Sequence, residues 1–355
     1  MTNILLLSRV NTTNLGDQLI GRSMMKLFSP FGNVVQGDLF YSRHVKAIRV
    51  ESQNTEKGPI HNDPYESKKG LRGMLGFFLR IAFVKYLRWL KRNRSVFKVI
   101  VHNKFDFIII GGGEIMSSSF AFALSLWAIM LSLFQRKAKV VLFGVGVTDA
   151  YKKDINRINR LVRRSDMIFV RDAASRCKME KLYNRDSIEI PDVAFVNDFH
   201  QQGAKQGVLF GVTTMKRLLK HGYLYSSVVD YYNHLITEIT NLQDEGYDVR
   251  LSYTSQEDFK ACARFSDYYS KQRGREVELV GVKTLDDLIR VTQKASIVVS
   301  PRMHGCIIGQ LSGAEVRPEI ISEKMLSYKN KYLDSFDCQE ARIILMNDAK
   351  TVVAK

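Results

Sequence analysis

Short apolar runs, each closed by a polar or glycine-bearing turn and followed by a stretch of helical spacing, recur through the 355 residues of this chain. In the first half Ile4–Leu7, Phe107–Ile110, Val140–Phe143, Met167–Val170 and Ile188–Ile190 read as buried strands, and Val34–Val35 begins another. In the second half Val208–Val212, Val249–Tyr253, Val277–Val280 and Ile297–Val299 do the same. Between them lie helical patterns. Asp17–Phe28 puts Ile20, Met24, Leu27 and Phe28 on one face, and Ser227–Leu242 turns Val228, Tyr232, Leu235, Ile239 and Leu242 inward. Lys152–Arg163, Ala173–Leu182, Asp258–Ser270 and Leu285–Gln293 are further helices. Such alternation predicts parallel sheets covered by helices. Asp198–Gln206 has the composition of a linker. The expected fold is α/β, with two Rossmann-like domains whose parallel sheets face a cleft. The first domain spans residues 1–198 with a basic insertion around 41–104, and the second spans 207–325. A tail, 326–355, is expected to pack back on the first.

The chain carries 53 Lys and Arg against 36 Asp and Glu, a formal charge of +17. Its partners are therefore sought among anions. The excess is concentrated: from Ser67 to Phe105 there is no Asp or Glu, and Lys68, Arg72, Arg80, Lys85, Arg88, Lys91, Arg92, Arg94, Lys98 and Lys104 all fall there. Phe77, Phe78, Ile81, Phe83, Tyr86, Leu87, Trp89 and Leu90 are interleaved with them. Two readings stand: a basic amphipathic helix lying on an anionic membrane surface through residues 68–104, or a helix covering the sheet with its apolar side. Nucleic acid is not expected as a partner, because no recognised binding module accompanies the charge.

Cys177, Cys262, Cys306 and Cys338 form no CxxC pair, which excludes a zinc ribbon or a redox motif and leaves buried free thiols in a reducing compartment. The seven histidines show no metal-ligand spacing. Neither a metal nor a cofactor is expected. Met1–Leu7 reads as a strand rather than a signal peptide. Phe120–Phe134 is too short to span a bilayer and reads as a buried helix. The expected location is the cytoplasm, peripheral on the inner face of the cytoplasmic membrane.

Ser300-Pro301-Arg302-Met303-His304-Gly305 lies between two apolar runs, in the order strand, tight polar loop, helix start. Open α/β sheets bind ligands at the carboxyl ends of their strands. Arginine grips phosphate or carboxylate with two prongs, histidine moves protons near neutral pH, and a helix start presents N–H groups to an anion. The combination points to a small, highly anionic substrate that must gain a proton. The bland alternative is an ordinary strand-to-helix turn with a polar cap.

Other polar loops follow other strands. Asn14-Leu15-Gly16-Asp17 offers Asp17 either as a helix N-cap or as a carboxylate that takes a proton from an acceptor hydroxyl. Gly111-Gly112-Gly113 lets backbone approach a ligand but lacks dinucleotide spacing. Glu114 binds sugar hydroxyls or caps the next helix. Arg171 is either a second anion clamp or a surface partner of Asp172. A nucleophile elbow and a P-loop are absent from the sequence.

Taken in order, Asn14-Leu15-Gly16-Asp17, Gly111-Gly112-Gly113-Glu114, Gly144-Val145-Gly146, Arg171 with Ser175, Pro191-Asp192 and Ser300-Pro301-Arg302-Met303-His304-Gly305 resemble the polysaccharide pyruvyltransferase family over about residues 3–325. The resemblance implies a GT-B-like pair of domains and transfer of pyruvate from phosphoenolpyruvate to a sugar or lipid-linked glycan. It implies that Arg302, Met303 and His304 line the phosphoenolpyruvate pocket and that Arg171 reaches the same donor from the other domain. Asp17 and Glu114 would lie towards the acceptor, with Asn14, Gly112 and Gly113 in the same loops. His304 would be the general acid and Asp17 the base. The chain departs from the family after Gly313, where Glu315-Val316-Arg317-Pro318-Glu319 is more polar than the family's apolar strand; Lys324 stands where the resemblance would place the family's lysine. The rival reading is a GT-B glycosyltransferase using a nucleotide sugar. Glu315 and Glu323 have the spacing seen in some retaining members, but both follow the helix they should precede.

Overall fold

The computed structural model describes residues 1–40, 46–48, 87–200, 203–220, 222, 225–333 and 336–354, with 46–48 as backbone only. The chain divides into two compact units. Unit 1 holds residues 1–13, 20–193 and 343–355, and unit 2 holds 14–19 and 194–342. Much of the expected insertion, including Lys68 to Tyr86, lies outside the described residues, as do His44, His61 and His221.

Unit 1 is built on one sheet in the order β3-β2-β1-β4-β5-β6-β7. The strands are β1 (Asn3–Ser8), β2 (Asn33–Asp38), β3 (Lys46–Ile48), β4 (Phe107–Met116), β5 (Lys139–Val147), β6 (Met167–Val170) and β7 (Ile188–Glu189). All pairs are parallel except β2 with β3. Leu5, Leu7, Ile108, Ile110, Val140 and Leu142 are buried, as a sheet covered by helices requires. Its helices are α1 (Leu15–Phe28), α2 (Arg94–His102), α3 (Ala121–Phe134), α4 (Lys152–Arg164) and α5 (Ala173–Tyr183). The first residues of α1 count with unit 2. On α1, Ile20, Met24, Leu27 and Phe28 are all buried.

Unit 2 has a parallel sheet in the order β11-β10-β8-β9, made of β8 (Val208–Gly211), β9 (Val249–Ser252), β10 (Ile297–Ser300) and β11 (Glu315–Pro318). Its helices are α6 (Met215–Lys220), α7 (Val228–Asp244), α8 (Gln256–Arg273), α9 (Leu285–Gln293), α10 (Met303–Leu311) and α11 (Glu323–Tyr332). The last helix, α12 (Cys338–Ala354), starts in unit 2 and ends in unit 1. The strand order reverses between β8 and β10, so the loops after these two strands flank a switch point.

Several expectations are corrected. The glycine triplet is not a loop after a strand: β4 runs on through Gly111–Gly113 to Met116, and β5 likewise continues through Gly144–Gly146. Both strands change register there, and Gly112 and Gly113 take φ of 75° and 80°, a bend that side chains with a Cβ resist. Val277–Val280 contributes only a single bridge, Leu251 with Leu279. On α7 the inward face is Tyr231, Leu235, Ile236, Ile239 and Leu242, with Val228 exposed in the first turn and Tyr232 only half-buried. Cys262 and Cys306 are buried, but Cys177 is exposed and Cys338 intermediate. Asp17 is not the cap of α1. The helix begins two residues earlier, and Asn14 Oδ1 accepts the Gly16 N–H at 3.0 Å.

Candidate functional site

The candidate residues fall into two groups, one in each unit. In unit 2, β10 is flanked on both sides by parallel strands, and its apolar run ends at Ser300. Ser300 Oγ accepts the Arg302 N–H at 3.1 Å, which tightens the turn and lets α10 start at Met303. Arg302 and His304 thus leave the carboxyl end of a central strand, at the switch point of the sheet.

Arg302 is held firmly. Its Nη2 donates to Asp258 Oδ1 at 2.6 Å and lies 3.4 Å from Ser255 Oγ. Asp258 is almost fully buried and sits in the first turn of α8, where Ser255 is the N-cap and donates from Oγ to Asp258 Oδ2 at 2.8 Å. A carboxylate at a helix N-terminus is favoured by the helix dipole, so Asp258 makes a firm anchor for the guanidinium. Both side-chain hydrogen bonds of Arg302 use Nη2, and its buried Nε makes none. A cavity of about 20 Å³, room for one water, adjoins Arg302, Asp258, Thr254, Thr292 and Ser300.

His304 is buried in the first turn of α10, and Met303 beside it is buried too. The first turn of α1 meets the imidazole. Leu15 N donates to Thr254 O at 2.8 Å, and an ideal Cβ placed on Gly16 would lie 2.6 Å from His304 Nδ1. Asn14 and Asp17 are half-buried in that same turn. Unit 2 therefore brings together Asn14, Asp17, Arg302, Met303 and His304.

Sequence reasoning passed over two further residues of this neighbourhood. Asp258 looked like the start of an ordinary helix, and its Ser-x-x-Asp capping pattern was the available signal. Glu319 follows β11, donates its N–H to Ser300 O at 3.0 Å, and so lies next to the Arg302 turn. Burial, with the nearby Glu238 adding to it, pushes its carboxyl up to about 8. The departure from an apolar strand was its signal.

In unit 1 the group is Gly112, Gly113, Glu114 and Arg171. Arg171 follows β6 and is 4% exposed. Its guanidinium lies 3.3 Å from Asp172, 3.4 Å from Glu114 and 3.9 Å from Asp192. Burial opposes its charge, but Asp192, Asp172 and Glu114 more than offset that and raise its pKa. Burial likewise pushes the Asp172 carboxyl up, and Arg171 with the Ser175 N–H, 2.7 Å away, brings it below the usual range. The expected pair of Arg171 with Asp172 exists, but as part of a junction of four charged groups around a buried guanidinium, with Glu114 exposed at its edge, rather than as an isolated surface contact. Among the described residues no group of His, Cys, Asp and Glu is arranged to hold a metal ion.

The profile of the family described as polysaccharide pyruvyl transferase matches residues 14–318. No curated protein sequence is similar enough to count as a relative. Among solved structures, UDP-GlcNAc 2-epimerase from Neisseria meningitidis bound to UDP-GlcNAc is 11% identical, covering 100% of this chain and 92% of its own, with a TM-score of 0.51. The Methanocaldococcus jannaschii UDP-GlcNAc 2-epimerase in complex with UDP-GlcNAc and UDP is 10% identical, covering 100% and 99%, with a TM-score of 0.49. Similarity at such identities speaks of fold alone, and that to the Neisseria enzyme is to a fold of the GT-B type. With a profile match over most of its length, and with the Arg302–His304 turn inside that match, the chain belongs to the polysaccharide pyruvyl transferase family.

Proposed function

We propose that this protein transfers pyruvate from phosphoenolpyruvate to a sugar of a cell-surface polysaccharide or its lipid-linked precursor, forming a cyclic ketal and releasing phosphate. The observation that carries the reading is Arg302, anchored through Nη2 alone, beside His304 at the switch point of unit 2. Phosphoenolpyruvate brings a carboxylate and a phosphate, and fixed guanidinium donors suit both. His304 delivers a proton to the terminal alkene carbon, making a methyl group. The neighbouring carbon then accepts one sugar hydroxyl, and a second hydroxyl displaces phosphate. Of the two hydroxyl protons, one balances the proton gained by carbon and the other leaves with phosphate. Asp17 is assigned as the base for the hydroxyl.

Asn14, Gly112, Gly113 and Glu114 are assigned to the acceptor. Arg171 enters as the residue that holds Glu114, Asp172 and Asp192 in place. A direct grip of Arg171 on the donor would require one of those pairs to open.

The test is phosphate release from phosphoenolpyruvate across a panel of sugar and glycolipid acceptors, with wild-type protein and His304→Ala. Loss of a positioned acid costs about 10²–10⁴-fold in rate. Wild-type turnover by His304→Ala would remove the acid assignment. Thermal stabilisation by UDP- or GDP-sugars but not by phosphoenolpyruvate would replace the whole reading with nucleotide-sugar transfer.

A further inference from the structure

The outer face of α3 is not explained by catalysis. Apart from Ser125 and Ser132 this helix is apolar, yet only part of it is covered. Trp127 meets Trp89 edge-on at 5.1 Å and Phe134 meets Phe97 at 5.7 Å, so that side turns towards α2 and the helical turns at residues 87–92. On another side Ser125 Oγ accepts from Arg160 of α4 at 2.9 Å. The third side carries Phe122, Leu126, Ile129 and Leu133, at intervals of four, three and four, which is a single stripe on a helix. Phe122 and Leu126 are half-covered, whereas Ile129 is 41% and Leu133 55% exposed.

The surroundings of the stripe are predominantly basic. Residues 87–105 and 115–148 contain no Asp or Glu. Exposed Arg88, Lys91, Arg92 and Lys98 belong to the flank packed on Trp127 and Phe134. On the α4 flank, Lys153, Arg160 and Arg163 are exposed, the one acid within the helix, Asp154, is buried and paired with Arg157 at 2.9 Å, and Asp149, exposed just ahead of the helix, is paired with Lys178 at 2.9 Å. Trp89 is itself buried, so it does not serve as the surface aromatic that its place in the sequence suggested.

We infer that this face of unit 1 docks on an anionic lipid surface, with Ile129 and Leu133 entering the headgroup boundary and the two basic flanks binding lipid phosphates. Apolar residues rimmed by Lys and Arg are the composition that interfacial helices use. With 14 residues α3 is about 21 Å long, short of the roughly 30 Å hydrocarbon core, so it lies in the interface. No helix among the described residues is long and apolar enough to cross a membrane. A second copy of the chain fits the stripe less well, because both rims would bring like charges together.

The experiment is co-sedimentation of the full chain with vesicles of phosphatidylcholine alone and of phosphatidylcholine with 30% phosphatidylglycerol, at low and high salt. Wild-type protein should pellet with the anionic vesicles and be released by salt. Ile129→Ser/Leu133→Ser and, separately, Arg88→Gln/Lys91→Gln/Arg92→Gln/Lys98→Gln should each weaken binding by about tenfold or more while the melting temperature stays near wild type. No binding of the wild type to anionic vesicles, or undiminished binding by both variants, would overturn the inference. So would a concentration-dependent dimer that Leu133→Ser dissolves, or preferential binding to an oligonucleotide. Phosphate release with a soluble acceptor should be unchanged in these variants, which separates this inference from the donor assignment.

Discussion

Gly16 and His304 touch so closely that a methyl group on the glycine would lie 2.6 Å from the imidazole Nδ1. The backbone at Gly16 is helical, so alanine is acceptable there to the helix itself and even favours it. Gly16→Ala therefore tests the position of the ring rather than the fold. The imidazole must shift by several tenths of an ångström or more, and phosphate release should fall about 10–10²-fold, as small misplacements of reacting groups do. The melting temperature should stay within a few degrees of wild type. Full activity would show that the ring's seat does not matter to turnover.

Arg302 and Asp258 should behave as one unit. Deleting one partner of a buried ion pair typically costs about 3–5 kcal/mol, because the other charge is stranded. Asp258→Ala should thus be strongly destabilising, and Arg302→Gln less so, since Ser255 and the helix N-terminus still satisfy Asp258. The double variant should be less destabilised than the sum, with a coupling of about 1–3 kcal/mol by denaturant unfolding. Simple additivity would mean the 2.6 Å contact contributes little.

Arg171→Met should cost about 3–5 kcal/mol at neutral pH by leaving Asp172 and Asp192 without their cation. The pH dependence has a defined sign. The folded-state pKa of Asp172 lies below its ordinary value, so its contribution is present above that ordinary value and is lost as pH falls through the folded one. Removing Arg171 removes that contribution. The gap between variant and wild type should narrow in thermal melts as pH falls below about 4. An equal gap at every pH would contradict the carboxylate origin of the effect.

Glu319 predicts the opposite trend. Its folded pKa is raised to about 8, so the unfolded chain ionises first as pH rises. The wild type should lose stability between roughly pH 4.5 and 8, whereas Glu319→Gln should not. Melting temperatures of the two should agree near pH 4 and separate by several degrees in favour of the variant at pH 8. A constant difference across that range would show that Glu319 does not titrate there.

The alternation of buried strands and amphipathic helices was legible because each strand of a covered parallel sheet is a continuous apolar run, and that pattern is local. The turn at Ser300–Gly305 was legible for the same reason, since Arg and His at the end of such a run can only leave the sheet at its ligand-binding edge. The glycine-rich segments were misplaced because a strand bent by positive φ and a loop have the same composition. Trp89 shows the limit of amphipathic reading, because the residue that would mark a membrane surface is the one that the Trp127 ring covers.

Local sequence thus dictated the α/β architecture, the family motifs and the exit of Arg302 and His304 from a central strand. Folding in three dimensions settled who meets whom. Asp258 is 44 residues from Arg302, and Gly16 lies at the other end of the chain from His304. Spacing along a chain fixes which face a side chain takes, whereas long-range partners depend on how distant elements pack, and no local pattern encodes that.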